Sequence, residues 1–228
     1  LLIEAMKHAF ADRAEHMADA TFVDVPVEQL LSANYLDELA SRIVLGKTQK
    51  SREYGSHSPP PADDGTSHIC VIDGNGMTVS VTETINTSFG SMVTVEPFGF
   101  MLNNEMDDFS SKPGVPNMYG LIGNTANAIE PNKRMLSSMS PTIVEDSDGE
   151  LALVVGSPGG STIITTTAQV IMNVVDFDMD IEDAIESPRF HHQWLPDLIQ
   201  FESAGFAVET INELTRRGHE YKFRGSIG

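Results

Sequence analysis

Asp63-Asp64-Gly65-Thr66-Ser67-His68-Ile69-Cys70-Val71-Ile72 is the stretch on which the reading of this chain turns. A polar linker ends at a glycine, and a hydroxyl residue then opens a run with the composition of a β-strand. Such a junction suits an internal nucleophile that is released when the chain is cut. With the Gly65–Thr66 bond broken, Thr66 owns both a hydroxyl nucleophile and a free α-amine. An α-amine has a pKa of about 7.7–8.0, so a useful fraction of it is neutral base near neutral pH. A loop-to-strand threonine of no chemical consequence has the same local sequence, and this stretch alone leaves both readings open.

Upstream, residues 1–20 carry Leu2, Ile3, Met6, Phe10, Arg13 and Met17 at three- and four-residue steps, which predicts a helix. Residues 27–45, with Leu30, Leu31, Leu36, Leu39 and Ile43, predict a second helix that Gly46 can stop. From Lys47 to Gly65 apolar periodicity disappears, and Pro59-Pro60-Pro61 leads into Asp63-Asp64-Gly65. This composition predicts a loop, a boundary and an accessible place to cut.

Downstream, His68–Ile72 and Met77–Thr82 flank Asp73-Gly74-Asn75-Gly76, which predicts a hairpin. A strand is expected over residues 93–103 and a long binding or lid loop over 109–127. A second hairpin is expected, Thr142–Glu145 and Leu151–Val155 turning at Asp146–Gly149, then a helix over 161–175 and a short helix over 180–186. A strand near 198–201 and a helix over 207–217 follow. Strands first and helices after predict an α+β fold of sheets covered by helices.

The 228 residues carry 14 Lys+Arg against 33 Asp+Glu, a net charge of −19. Nothing in such a chain neutralises phosphates, which argues against a nucleic-acid partner. No run is long and apolar enough for a membrane span. The single cysteine, Cys70, rules out an internal disulfide and a cysteine-rich metal site, and its apolar surroundings predict a buried small hydrophobe. Leu1 is not an initiator methionine, so the chain reads as a piece of a longer protein.

Four clusters lie downstream of Thr66. In Thr82-Glu83-Thr84-Ile85-Asn86-Thr87, alternation turns Thr82, Thr84 and Asn86 the same way, and a paired hairpin would bring Thr84 to Thr66. A solvent-facing hairpin surface accounts equally for these residue types. Asn103-Asn104-Glu105-Met106-Asp107-Asp108 crowds carboxylates that repel one another unless a cation or open solvent lies among them. A substrate ammonium fits there. Calcium is a lesser alternative because the spacing lacks the EF-hand pattern, and no histidine stands at ligand spacing for a transition metal. Leu136-Ser137-Ser138-Met139-Ser140-Pro141 offers hydroxyl donors for a carboxylate or phosphate, or simply a loop. Gly156-Ser157-Pro158-Gly159-Gly160-Ser161 suits an oxyanion hole or a capped turn, and matches neither a Walker loop nor GxGxxG. His191-His192 point apart and are read as packing residues.

Taken in order, these segments resemble the gamma-glutamyltransferase family (gamma-glutamyl transpeptidase, glutathione hydrolase). The likeness is carried by Thr66-Ser67-His68, Asn86-Thr87-Ser88-Phe89-Gly90 and Leu102-Asn103-Asn104-Glu105-Met106-Asp107-Asp108-Phe109-Ser110. It continues through Pro131-Asn132-Lys133-Arg134-Met135-Leu136-Ser137-Ser138-Met139-Ser140-Pro141-Thr142, Gly156-Ser157-Pro158-Gly159-Gly160 and Pro188-Arg189-Phe190-His191.

The resemblance implies an N-terminal nucleophile hydrolase, an α+β fold built as a four-layer αββα sandwich, here truncated at both ends. It implies that residues 1–65 end the large subunit, with 47–65 as the linker before the cut, and that residues 66–228 form the small catalytic subunit without its tail. By the same likeness Thr66 is the nucleophile, Thr84 positions its amine, and Gly159 and Gly160 form the oxyanion hole. Asn86, Glu105 and Asp108 would bind the substrate α-ammonium, Ser137 and Ser138 its α-carboxylate, and Tyr119 would sit in a lid loop. The partners implied are a γ-glutamyl compound such as glutathione, a water or amino-acid acceptor, and the remainder of the large subunit. No cofactor and no metal are expected, and a periplasmic or secreted home is implied. The family's carboxylate-binding arginine and its strand-rich tail have no counterpart here, so this piece alone is expected to be inactive. Related readings are a cephalosporin (glutaryl) acylase, a poly-γ-glutamate depolymerase or a non-catalytic homologue. The acidic pair favours a substrate that carries an ammonium.

Overall fold

The structure, a computed structural model, describes residues 1–54 and 66–228. The Pro59-Pro60-Pro61 tract and Gly65, the residue before the expected cut, lie outside the described residues. The described chain forms two compact units. The first comprises residues 1–54, 106–137 and 191–224, and the second comprises 66–105, 138–190 and 225–228.

In the first unit, helix α1 (Leu2–His16) buries Ile3, Met6 and Phe10 along one face, as the three- and four-residue spacing requires. The expected second helix is split into α2 (Val27–Leu30) and α3 (Ala33–Arg42). The break is local chemistry, because the Ser32 hydroxyl accepts the Tyr35 N–H and so starts a new helix. Neither α2 nor α3 buries a residue. Strand β8 (Ile199–Glu202) pairs in parallel with β9 (Tyr221–Arg224), and α6 (Val208–Arg216) connects them. Such a crossover is the usual way to join parallel neighbours.

Lys7 on α1 is fully buried yet ion-paired. Its ammonium lies 3.1 Å from Glu4 and 3.4 Å from Asp197, and it donates to Thr48 Oγ1 at 2.6 Å and to the Gln49 carbonyl at 2.9 Å. Asp197 also accepts the Ser51 N–H at 2.7 Å, and Glu4 accepts the Tyr54 hydroxyl at 2.7 Å. Thr48, Gln49, Ser51 and Tyr54, which lead toward the expected cut, are therefore tied to a largely buried charge cluster.

In the second unit, β1 (Thr66–Ile72) and β2 (Thr78–Thr84) form the expected antiparallel hairpin, with Thr66 opposite Thr84 and His68 opposite Thr82. Asp73 makes the turn, its Oδ1 accepting the N–H groups of Asn75 and Met77. The single strand expected over 93–103 is instead a small hairpin, β3 (Thr94–Val95) and β4 (Phe100–Met101). A third hairpin joins β5 (Thr142–Glu145) to β6 (Leu151–Val155). Behind it, α4 (Ile163–Val175) and α5 (Ile181–Glu186) close a core of Leu153, Val155, Val170 and Ala184. The short strand β7 (Phe190–His191) stands where the chain passes from this unit back to the first.

Candidate active site

Within the second unit, the β1–β2 hairpin turns its polar face inward. Thr66, His68, Ser80, Thr82 and Thr84 are half-buried, whereas Ile69, Val71, Val79 and Val81 are exposed. The solvent-facing reading of Thr82 and Thr84 is therefore reversed. The strand register places the Thr66 hydroxyl 3.2 Å from Thr84 Oγ1, to which it donates. The same Thr84 oxygen accepts the Asn86 N–H at 2.8 Å.

Asn86 is buried and held at φ 77, a left-handed conformation that asparagine tolerates better than most residues. Its side-chain amide donates to the Asn104 carbonyl at 3.1 Å, and Asn104 Oδ1 in turn accepts the Thr87 N–H. The next residue, Glu105, has its N–H held by Asn103 Oδ1 at 3.0 Å. Thr66, Thr84, Asn86, Asn104 and Glu105 thus form one continuous bonded path through this unit. Asn104 is a supporting residue that the sequence reading quoted but did not assign.

His68 lies one step along the same face, its Nδ1 2.8 Å from Thr82 Oγ1 and its Nε2 3.0 Å from Cys70 Sγ. Burial lowers its pKa. The ring covers Gly156 so closely that a Cβ there would fall 2.2 Å from it, which is why glycine follows β6 at this point. Cys70 is exposed rather than buried, because the polar face it shares with His68 opens toward the far end of β1.

Gly159 and Gly160 have φ values of 121 and 53. A Cβ on Gly159 would lie 2.5 Å from Thr162 Oγ1, which itself donates to the Gly159 carbonyl at 2.9 Å. Consecutive left-handed residues before α4 turn backbone amides in a way that suits an anion. Ser161 is not the helix cap; Thr162 takes that position. Ser138 belongs to this unit, and its carbonyl accepts the Ser140 hydroxyl at 3.0 Å.

Asp108, Tyr119 and Ser137 belong to the first unit. Asp108 closes the short 3-10 turn that begins at Glu105. Arg13 on α1 is half-buried; loss of water around its guanidinium pulls its pKa down to about 10, and the Asp108 carboxylate opposes that shift. Tyr119 is buried, and its loop is pinned from several sides. Asn117 Oδ1 accepts the N–H groups of Tyr119 and Leu121, and Asp107 Oδ2 accepts that of Met118 at 2.9 Å. Gln193 donates to the Tyr119 carbonyl at 3.1 Å while its Oε1 meets His191 Nε2 at 2.8 Å. His191 and His192 are buried, as the packing reading expects, and burial pushes the His191 pKa down to about 3.

The segment before Ser137 is tied to the end of α1. Asp19, whose side chain is buried, accepts Arg134 N–H, Nε and Nη2 at 2.9–3.1 Å and holds its own carboxyl far below the usual range through those bonds. Asn127 Oδ1 accepts the Leu136 N–H at 3.1 Å. Neither Asp19 nor Asn127 was singled out from the sequence, since a polar residue in a loop signals nothing until its partners are known.

The family model described as Gamma-glutamyltranspeptidase matches residues 1–228. Glutathione hydrolase proenzyme from Escherichia coli strain K12 is 45% identical over 229 residues, which cover 100% of this chain and 39% of that protein. The chain therefore spans well under half the length of that relative. Among solved structures, gamma-glutamyltranspeptidase from Helicobacter pylori is 55% identical, with a TM-score of 0.69 over 71% of this chain and 86% of that one. A second, acivicin-inhibited gamma-glutamyltranspeptidase, described as revealing roles for its C-terminus in autoprocessing and catalysis, matches with the same identity and TM-score over 71% and 85%. The motifs, the fold neighbours and the end-to-end match agree: this chain belongs to the gamma-glutamyltranspeptidase family.

Proposed function

We propose that the chain is the catalytic part of a γ-glutamyl-transferring enzyme that becomes active when the Gly65–Thr66 bond is cut. The observation that carries this is the Thr66–Thr84–Asn86 arrangement. A threonine at the first residue of a strand directs its hydroxyl at a second threonine, whose oxygen is itself fixed by a buried backbone N–H. After the cut, the Thr66 α-amine accepts the hydroxyl proton as Oγ attacks the γ-carbonyl carbon of a glutamyl group. The Oγ–carbon bond forms, the amide C–N bond breaks, and the leaving amine takes the proton. Water or an amino acid then attacks the acyl-enzyme, giving hydrolysis or transfer.

In this reading Gly159 and Gly160 hold the oxyanion, and each such donor is worth about 2.7–4 kcal/mol. Asn86, Glu105 and Asp108 take the α-ammonium, Ser137 and Ser138 take the α-carboxylate, and Tyr119 belongs to the lid loop. Residues 1–65 end one subunit and 66–228 form the other, within a four-layer αββα sandwich. The relatives named glutathione hydrolase proenzyme support glutathione as substrate and a proenzyme as starting state. Among the described residues no helix is long and apolar enough to cross a membrane, and an exported location is part of the proposal by family likeness.

Thr66→Ala tests it. In the protein expressed from its complete gene, the substitution should abolish both the fragment that begins at residue 66, followed by intact mass, and hydrolysis of a γ-glutamyl anilide. A variant that is still cut and still turns over refutes the nucleophile assignment.

A further inference from the structure

Asn127 is buried at the end of a single 3-10 turn, Thr125–Asn127, and all four of its polar groups are engaged inside the first unit. Its side-chain Nδ2 donates to the Asp108 carbonyl at 2.8 Å, and its Oδ1 accepts the Leu136 N–H at 3.1 Å. Its backbone carbonyl accepts the Ser110 N–H at 2.9 Å, and its own N–H donates to the Asn124 carbonyl at 3.2 Å. The orientation of the amide is fixed by its partners, because a carbonyl faces one end and an N–H the other.

One side chain therefore spans two strands of loop backbone: one at Asp108, the other immediately before Ser137. The loop that carries Asn127 is itself anchored. The Asn124 N–H donates to the Ala14 carbonyl at the end of α1. Ser110 Oγ would lie 2.0 Å from a Cβ on residue 123, so only Gly123 lets the two segments come this close. Asp19 fixes Arg134 on the far side.

We infer that Asn127 is a positioning residue that sets the separation between Asp108 and Ser137, and hence between the acceptor for a substrate ammonium and a donor to its carboxylate. The inference rests on the substrate roles proposed above for those two residues. An amide carries its donor and its acceptor on separate atoms of one planar group, so it can hold a backbone acceptor and a backbone donor that lie apart. Asn127→Gln keeps both bonding abilities but lengthens the strut by a methylene. Asn127→Ala removes the strut altogether.

The test uses the processed protein expressed from its complete gene and three anilides: γ-glutamyl, glutaryl (which lacks the ammonium) and 4-aminobutyryl (which lacks the α-carboxylate). Asn127→Gln is expected to raise KM for the γ-glutamyl anilide about tenfold or more, with kcat within about threefold, because small misplacements of a two-point contact are costly. kcat/KM for each one-handed analogue should stay within about threefold of wild type, so preference for the γ-glutamyl substrate narrows by the same factor. Asn127→Ala should narrow it further. An equal fall on all three substrates, no change on any, or failure of both variants to fold would each make Asn127 a purely structural residue and overturn the inference. A wild-type protein that does not distinguish the three anilides would instead refute the γ-glutamyl reading on which the inference stands.

Discussion

Replacing Thr84 by valine keeps the shape of the side chain and removes one oxygen. That oxygen accepts two bonds, from the Thr66 hydroxyl at 3.2 Å and from the N–H of buried Asn86 at 2.8 Å. Depriving a buried N–H of its acceptor costs about 1–3 kcal/mol, and losing a hydroxyl bond at a half-buried site costs about 0.5–1.5 kcal/mol. The two losses together give an expected destabilisation of about 1.5–4.5 kcal/mol. Asn86 adds to the sensitivity, because a residue at positive φ stays there only while its surroundings hold it. The assay is urea denaturation of Thr84→Val and Thr84→Ser beside the parent, with intact mass confirming that all three are in the same state of cleavage. Valine should lower the midpoint with an unchanged slope. Serine keeps the oxygen and should stay within about 1 kcal/mol of the parent. The same oxygen should matter to maturation, so the fragment beginning at Thr66 should form about tenfold more slowly in the valine variant and at near the parental rate in the serine variant. If valine and threonine unfold at the same midpoint and mature at the same rate, the hydroxyl pair neither supports the hairpin nor prepares Thr66, and the account of the site fails.

Two further outcomes follow from the same geometry. Gly159→Ala puts an L-residue at φ 121 and a Cβ 2.5 Å from Thr162 Oγ1. Backbone strain of about 1–3 kcal/mol should lower the melting temperature, and hydrolysis of a γ-glutamyl anilide by the processed protein should fall about 100-fold or more. A variant with wild-type kcat would exclude this turn from the oxyanion hole. Burial holds His191 neutral down to about pH 3, whereas the unfolded chain binds that proton below its ordinary pKa of 6.5. Stability from this group is thus intact above pH 6.5 and falls as pH drops toward 3, by up to about 1.4 kcal/mol per pH unit. His191→Gln should flatten that part of the stability–pH curve in urea titrations, and superimposable acid limbs would refute the assignment.

Most of what the sequence made legible was local. Asp73-Gly74-Asn75-Gly76 and Asp146-Ser147-Asp148-Gly149 predicted two turns, and in both an aspartate side chain ties down the N–H groups that follow it. Alternation turned Thr82, Thr84 and Asn86 the same way, and the register pairs Thr66 with Thr84, but the strand ends at Thr84 and Asn86 leaves it at φ 77. Alternation could not say which face turns inward. A pattern with valine and isoleucine on one side normally sends those inward, and here the threonine side is the more buried one. The same gap accounts for Cys70, which apolar neighbours suggested was buried. The helix expected over residues 27–45 failed for a different reason. Periodicity runs through Ser32 without interruption, but a side-chain cap on Tyr35 is locally better than continuing the turn.

The candidate site divides along the same line. Residues proposed to meet a substrate by their own chemistry, such as Thr66, Glu105, Asp108 and the paired serines, announce themselves by type and order. Residues that hold them, such as Asn104, Asn127 and Asp19, act through backbone groups that are far away in the chain. Asp19 reaches Arg134, 115 residues on, and Asn127 reaches Asp108 and Leu136, 19 and 9 residues away. No spacing rule encodes such partners, because a backbone N–H or carbonyl is the same at every residue. The supporting bonds are therefore where the structure adds most to the sequence. Asn127 stands outside the quoted motifs, so losing its bonds should alter substrate preference while every residue of those motifs stays in place.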